Sequence, residues 1–238
     1  KLEDNFNLTN NSISNINYNI NVEEDATIKH NIFQNFVNSN KLYLTSNTVC
    51  KKNASYSQNT YNFSDGFVRN FHHVKLNGEF SKASLKGCFF LKDKNICSNK
   101  TNIKHNAENC ISDQTYKGIL NDHSKASYYS NTFVSENAQK TEGYQLSKGI
   151  LLTDNCSFFS KPELRIFADD VKCSHGSTIG PVDESALYYL RSRGISKNEA
   201  MKMIISSFIE EDLQNLDKDI AKIISNNLSD YLKSLAND

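Results

Sequence analysis

From about residue 16 to residue 180 the chain alternates apolar and polar side chains in short runs, the period of two that marks half-buried strands. Leu42 and Leu44 form one run. Val74, Leu76 and Phe80 form a longer one, with His73, Lys75, Asn77 and Glu79 on the opposite parity. Ala83 with Leu85, Phe89 with Leu91, Tyr129 with Phe133 and Ile150 with Leu152 continue the pattern. Polar turns containing a small residue separate the runs, as in Glu23-Glu24-Asp25-Ala26 and Ser135-Glu136-Asn137-Ala138. No stretch of helical period intervenes, which excludes a βαβ layout and leaves a sandwich, a barrel or a β-solenoid. Small residues at tight corners favour the solenoid, because each coil stacks on the next. Yet Ala26, Ala54, Ala83, Ala107 and Ala126 recur at intervals of 28, 29, 24 and 19 residues, too irregular to separate a solenoid from a sandwich by period alone.

The run from Pro162 to Ala168 places Leu164, Ile166 and Ala168 on one face. Asp169 and Asp170 interrupt it, and alternation resumes at Val171, Cys173 and His175; Gly176 and Gly180 are expected to loosen the chain just before Pro181. A strand that persists through residue 175 points Cys173 and His175 the same way, with α-carbons roughly 6.5 to 7 Å apart. A thiolate and an imidazole so placed can meet one soft metal. Asp169 and Asp170 are neighbours, so on a strand they face opposite ways and make no acid–base pair; a turn role is expected. His72 and His73 fail the same test.

Past Gly180 the period changes to 3.6. Asp183 is expected to cap a helix with Ala186, Leu187 and Leu190 on its apolar side and Gly194 just beyond its end. Ser196 and Glu199 make a capping box, opening a helix to about Leu216 with Ala200, Met203, Ile204, Phe208 and Leu213 along one side. A third helix, about Lys218 to Leu235, carries Ile220, Ile223, Ile224, Leu228, Tyr231 and Leu232. Such wide apolar stripes predict contact with each other and with something else. Two parts are therefore expected: a β core over residues 1–180 and a helical subdomain over 181–238.

At 238 residues the chain can bury a sizeable core. Lysine plus arginine equals aspartate plus glutamate at 27 each, so no broad electrostatic footprint for a polyanion is expected and nucleic acid is not an expected partner. No run of about 18 apolar residues exists, and Lys1 to Asn11 has no signal-peptide core, so no membrane association is expected. The abundant asparagines read as filling for turns and exposed positions. Six cysteines show no Cys-x-x-Cys spacing. Sequons at Asn53, Asn62, Asn99 and Asn155 arise readily in a chain rich in asparagine and serine, and free thiols in a reducing, cytoplasmic setting are expected. No phosphate-binding glycine loop is present, so the chain supplies no ATPase of its own.

The string Ala168-Asp169-Asp170-Val171-Lys172-Cys173-Ser174-His175-Gly176-Ser177-Thr178, followed by Leu187-Tyr188-Tyr189-Leu190-Arg191-Ser192-Arg193-Gly194-Ile195, strongly resembles the C-terminal signature of the SufB/SufD family of iron-sulfur cluster assembly scaffolds. Lys172-Cys173-Ser174-His175 follows the SufD-type branch, since SufB-like chains carry a Glu-His-Glu type sequence there. Gln139 to Gln145, Tyr116-Lys117-Gly118 and the Leu151-Leu152 pair read like the same family, and the resemblance covers residues from about 25 to 215. Gly149 departs from it, standing where relatives usually have asparagine.

This resemblance implies a mainly β fold, a flattened right-handed parallel β-helix followed by a C-terminal α-helical subdomain. It also implies a helical region ahead of the β core, which this sequence lacks. Functionally it implies a non-enzymatic scaffold subunit that pairs with a SufB-like subunit and docks a SufC-like ABC-type ATPase through Arg191, Arg193, Gly194 and Ile195. His175, facing a partner's cysteine, and Cys173 are the implied cluster-assembly or metal candidates. No stably bound cofactor is implied, only a transient iron-sulfur cluster, and self-pairing into a homodimer in isolation stays open. One rival is a carbohydrate-active β-helix enzyme, which predicts convergent carboxylates and disulfides; the absence of tryptophan argues against it. The other is a structural β-solenoid that polymerises.

Overall fold

The computed structural model describes residues 2–6, 12–36, 40–213 and 218–234. Strands β1 (Leu2–Phe6), β2 (Ile13–Val22), β3 (Thr27–Gln34), β4 (Asn40–Cys50) and β5 (Ser55–Asn62) come first. They continue as β6 (Gly66–Leu76), β7 (Lys82–Leu91), β8 (Ile96–His105), β9 (Ile111–Leu120) and β10 (Lys125–Val134). β11 (Thr141–Leu151), β12 (Ser157–Ile166) and β13 (Val171–Pro181) complete the β region, and helices α1 (Glu184–Ser192), α2 (Lys197–Leu213) and α3 (Lys218–Ser234) follow.

Successive strands alternate between two sheets. The odd strands form a seven-stranded sheet in the order β1-β3-β5-β7-β9-β11-β13, and the even strands a six-stranded sheet in the order β12-β10-β8-β6-β4-β2. All neighbours pair in parallel, each interior strand of a sheet with the strand two before it and the strand two after it in the chain. Each coil therefore contributes one strand to each wall and advances the chain by about 4.8 Å. The two layers are opposite walls of one flattened parallel β-helix, not the facing antiparallel sheets of a sandwich.

The repeat lies at the corner leading from an even strand to the next odd one. Asp25, Asn53, Phe80, Asn109 and Lys140 there have positive φ, 54° to 60°, at intervals of 28, 27, 29 and 31 residues. A left-handed residue turns the chain, and the next side chain falls inside the corner: Ala26, Ala54, Ser81, Cys110 and Thr141 in turn. Their carbonyls carry the ladder from coil to coil, as in Ser55 N to Ala26 O (2.9 Å) and Lys82 N to Ala54 O (2.8 Å). Alanine spacing is irregular because the repeating feature is a backbone conformation; Ala83 and Ala126 lie inside strands.

Phe80, expected to extend the run of Val74 and Leu76, is instead one of these left-handed residues and is exposed. The chain turns two residues earlier, where Gly78 passes so close to the previous coil that a Cβ would lie 2.0 Å from the Lys52 nitrogen. Strand β13 also departs from expectation. It runs on to Pro181 instead of loosening at Gly176, because Gly176 and Gly180 stay in register with Leu146 and Ile150 of β11 and neither adopts a positive φ.

The helices cap as the sequence predicts. Asp183 Oδ1 accepts from the N–H groups of Ser185 (2.9 Å) and Ala186 (3.3 Å), and Gly194 takes φ 88° beyond the end of α1. The Ser196 hydroxyl donates to Glu199 Oε2 (2.9 Å) and accepts from the Glu199 N–H (3.3 Å), closing the capping box. Helices α2 and α3 lie on the outer face of the seven-stranded sheet, where Ile205, Ile224 and Leu228 pack with Phe33, Phe90 and Ile119. Tyr231 donates to the Leu91 carbonyl (3.1 Å). The solenoid itself thus covers much of the apolar stripe that suggested a partner surface. Leu216 and Leu235, the expected ends of the second and third helices, lie outside the described residues.

Candidate functional site

Each of β12 and β13 is the last strand of its sheet and is bonded on one side only. At this end no further coil among the described residues covers the inward positions. Inward parity on β11 belongs to Thr141, Gly143, Gln145 and Ser147, all buried, and their register partners on β13 are Val171, Cys173, His175 and Ser177. Cys173 and His175 therefore share a face, as the alternation predicts.

His175 lies in the middle of β13 and not at its end, a correction that follows from the strand's continuation to Pro181. It terminates an inward row running His30, Gln58, Leu85, Gln114, Gln145, His175 through the seven-stranded sheet. The first five are buried; His175 is exposed because nothing stacks above it. Its imidazole makes no hydrogen bond or ion pair with the described residues. Directly beneath, Gln145 donates through Nε2 to Thr132 Oγ1 (2.8 Å) and the Glu163 carbonyl (3.2 Å). Its Oε1 is buried without a partner.

Cys173 is half-buried and packs with Val171 against Val134, Ala138 and Ala168. A Cβ at Gly143 would stand 3.2 Å from its sulfur, so glycine there leaves the space the sulfur occupies. Burial pushes the Cys173 thiol above its usual pKa, offset in part by a hydrogen bond from the Gly143 backbone. At neutral pH it is a neutral thiol until a metal displaces the proton.

Among the described residues, no three His, Cys, Asp or Glu side chains converge. Cys173 and His175 offer two ligands, and a metal or cluster held there takes its remaining ligands from outside the described chain. Asp169 and Asp170 occupy the bend between β12 and β13, exposed, with the Asp170 N–H bonded to Gln139 Oε1 (2.9 Å). The six cysteines are free, five of them buried.

Behind the open end runs a polar spine that sequence reading missed. Asp4 Oδ2 lies 2.8 Å from His30 Nε2, and His30 Nδ1 lies 3.2 Å from the Tyr56 hydroxyl, which donates to Gln58 Oε1 (2.7 Å). Gln58 Nε2 lies 2.8 Å from His72 Nδ1. Nearer the open end Gln114 donates to Thr132 Oγ1 (2.8 Å), the same hydroxyl that Gln145 reaches. Burial, with smaller contributions from His30 and His73, pushes His72 down to about 3; burial alone takes His105 down to about 4. The available signal was glutamine and histidine on inward parity, meaningful only once the register stacks them.

Arg191 and Arg193 are exposed at the α1–α2 joint, with the Arg193 guanidinium 5.3 Å from the Tyr189 ring centre, and Ile195 is half-buried. The Gly194 and Ile195 N–H groups bond the carbonyls of Arg191 (3.0 Å) and Leu190 (3.3 Å), fixing the turn. Helix α1 has no fully buried residue, and Tyr188 is 76% exposed. Between α1, α2 and the ends of β11 and β13 lies an apolar groove of about 730 Å³ lined by Ile150, Ile179, Leu190, Ile204 and Phe208. None of the described helices is long and apolar enough to cross a membrane.

The family model for the SUF system FeS cluster assembly SufBD core domain matches residues 2–208. The chain is similar to the iron-sulfur cluster assembly protein SufD of Escherichia coli, 32% identical over 195 residues that make up 82% of this chain and 46% of that protein. A SufBD family protein of Synechocystis is 30% identical over 138 residues, 58% of this chain and 30% of that one. SufD of Plasmodium falciparum is 27% identical over 206 residues, 84% of this chain and 14% of that one. The chain spans less than half the length of these relatives. A parallel β-helix ending in the Cys173–His175 strand and a capped helical pair, matched by this model over most of its length, belongs to the SufB/SufD family of iron-sulfur cluster assembly proteins.

Proposed function

We propose that the chain is a SufD-like scaffold subunit, not a catalyst, that pairs with a SufB-like subunit through the open end of the β-helix and docks a SufC-like ATPase at the α1–α2 joint. One observation carries this reading: the one-sided strand β13 presents an exposed imidazole and a half-buried thiol on the same inward face, with two ligands where a metal needs more. Unpaired strand edges are templates for pairing with another chain, and a partner stacked there supplies the missing ligands. Iron and sulfide are then cargo, held transiently between subunits. For the ATPase, the support is a rigid turn bearing two exposed arginines beside an apolar groove, a composition suited to an interface centre.

The test is reconstitution with the SufB-like and SufC-like proteins. His175→Ala is expected to leave the complex intact by size-exclusion chromatography and to abolish cluster formation followed by absorbance; full assembly by the variant would overturn the role of His175. Arg193→Glu with Ile195→Asp is expected to release the ATPase while the SufB-like subunit stays bound. These point changes are preferable to removing the whole helical tail, because α2 and α3 cover the solenoid wall.

A further inference from the structure

The net charge of zero conceals a separation of charge. On the outer face of the six-stranded sheet one row across β6, β8, β10 and β12 reads Lys75, Lys104, Phe133, Arg165, and a second reads Phe71, Lys100, Tyr129, Lys161. Arg69 and Lys125 point outward from the same strands and Lys41 from β4, and Glu163 is the one acid at an outward strand position of this sheet. Of these cations only Arg165 is ion-paired with a described residue, to Glu163 at 2.8 Å. The positive field is felt locally: besides partial burial, Lys100 and Lys75 depress the His73 pKa. Balancing carboxylates lie elsewhere: Glu23, Asp25, Asp93, Asp122 and Asp154 in the corner turns, where they mix with Lys51, Lys52, Lys92 and Lys94, and Asp113 and Glu142 on the other sheet. The four strands that carry these rows, about 4.8 Å apart and about ten residues long, span roughly 14 by 33 Å, somewhat over half of one partner's share of a standard protein interface, about 800 Å².

We propose that this basic, ring-studded wall docks a folded protein with an acidic surface and, resting for the partner's identity on the scaffold reading above, that this partner is an iron-sulfur protein receiving the cluster. Charge complementarity selects an anionic partner, and the surface details select its class. Single-stranded nucleic acid needs open ring faces for base stacking, whereas the Lys100 ammonium sits 4.9 Å over the Phe71 ring and that of Lys104 5.0 Å over Phe133. The row between the two charged ones reads His73, Asn102, Asn131, Glu163; Asn102 is bonded to His73 (3.2 Å) and to Asn131 (2.9 Å), and Glu163 is taken up by Arg165. Fixed amides between cations suit the mixed polar surface of a protein better than a uniform phosphate backbone or a bilayer. Phe71, Tyr129 and Phe133 with Arg69 and Arg165 are residue types that protein interfaces concentrate, while the lysines steer an acidic partner more than they anchor it.

The probe is a small acidic plant-type ferredoxin, titrated against the chain by fluorescence anisotropy at low and high salt. Binding is expected in the micromolar range and weakens as salt rises. Lys100→Glu with Lys161→Glu is expected to raise Kd by about tenfold, while Lys29→Glu with Lys82→Glu, on the opposite wall, leaves it unchanged. Absence of binding, equal loss in both variants, or tighter binding of oligo(dT) or phosphatidylserine vesicles than of ferredoxin would overturn the proposal. Cluster formation on the reconstituted complex is followed in parallel. Docking without cluster formation would defeat the scaffold reading alone, and cluster formation without docking would defeat this inference alone.

Discussion

Replacing Gly149 by the asparagine that the family resemblance leads one to expect should destabilise this chain. A Cβ at residue 149 would stand 2.5 Å from Phe158 Cδ1, 3.0 Å from Phe158 Cε1 and 3.2 Å from Ile179 Cγ1. Carbon atoms in contact prefer about 3.5 to 4.0 Å, so the Phe158 ring must retreat by roughly an ångström. Retreat is blocked: the ring meets Phe89 edge-on at 5.2 Å between centres, and Phe89 itself lies across Gly118, where a Cβ would fall 2.2 Å from it. Overpacking costs about 1–3 kcal/mol, and a buried amide without partners adds about 1–3 kcal/mol. The expected loss for Gly149→Asn is about 3 kcal/mol, or roughly 6–12 °C in Tm for a chain of this size. Urea unfolding followed by circular dichroism measures it. Phe158→Leu in the same chain opens the space and should recover more than half of the loss, a non-additivity expected only of residues in contact. A loss below about 0.5 kcal/mol, or strict additivity of the two changes, would refute the reasoning. The strain also falls on Ile179 of β13, so the variant should disturb the strand that carries Cys173 and His175.

Stability should fall on acidification. Neutral His72 and His105 have pKa values of about 3 and 4 in the folded chain, below the usual 6.5, so the unfolded state binds more protons as pH drops. Their contribution is complete above about pH 6.5 and declines towards their folded values, by on the order of 2 kcal/mol each at pH 5; urea midpoints across pH should show the slope, and His72→Gln should flatten it. Tyr231→Phe removes the hydrogen bond to the Leu91 carbonyl and should weaken the docking of α3 by about 1–2 kcal/mol, read as faster amide exchange in α3 with little change in β7. Asp183→Ala deletes the N-cap of α1 and should cost about 1 kcal/mol, seen as fraying of α1 by NMR.

Much was legible from short-range pattern. Period two marked the strands, the shared parity of Cys173 and His175 followed from alternation, and Asp183, Gly194, Ser196 and Glu199 announced the helix ends, because capping bonds span only a few residues. The ends of strands were less legible. Phe80 continued an apolar alternation while its backbone was already turning, and Gly176 suggested a break that β11 suppresses by pairing.

Alternation by itself determined that the chain builds many two-faced strands with a helical tail, and the 168–195 string marked the family. Only the tertiary structure decided which strands are neighbours, since each partner lies nearly thirty residues away and no local pattern encodes that register. Stacking gathers Gln58, Gln114 and Gln145 into a buried spine and leaves His175 exposed at its end. It also collects lysines scattered along the sequence on one wall and hides the apolar sides of α2 and α3 against the other. The physical reason is the same throughout: side-chain direction is a local property of the strand, whereas burial and electrostatic field are set by coils that meet only after folding.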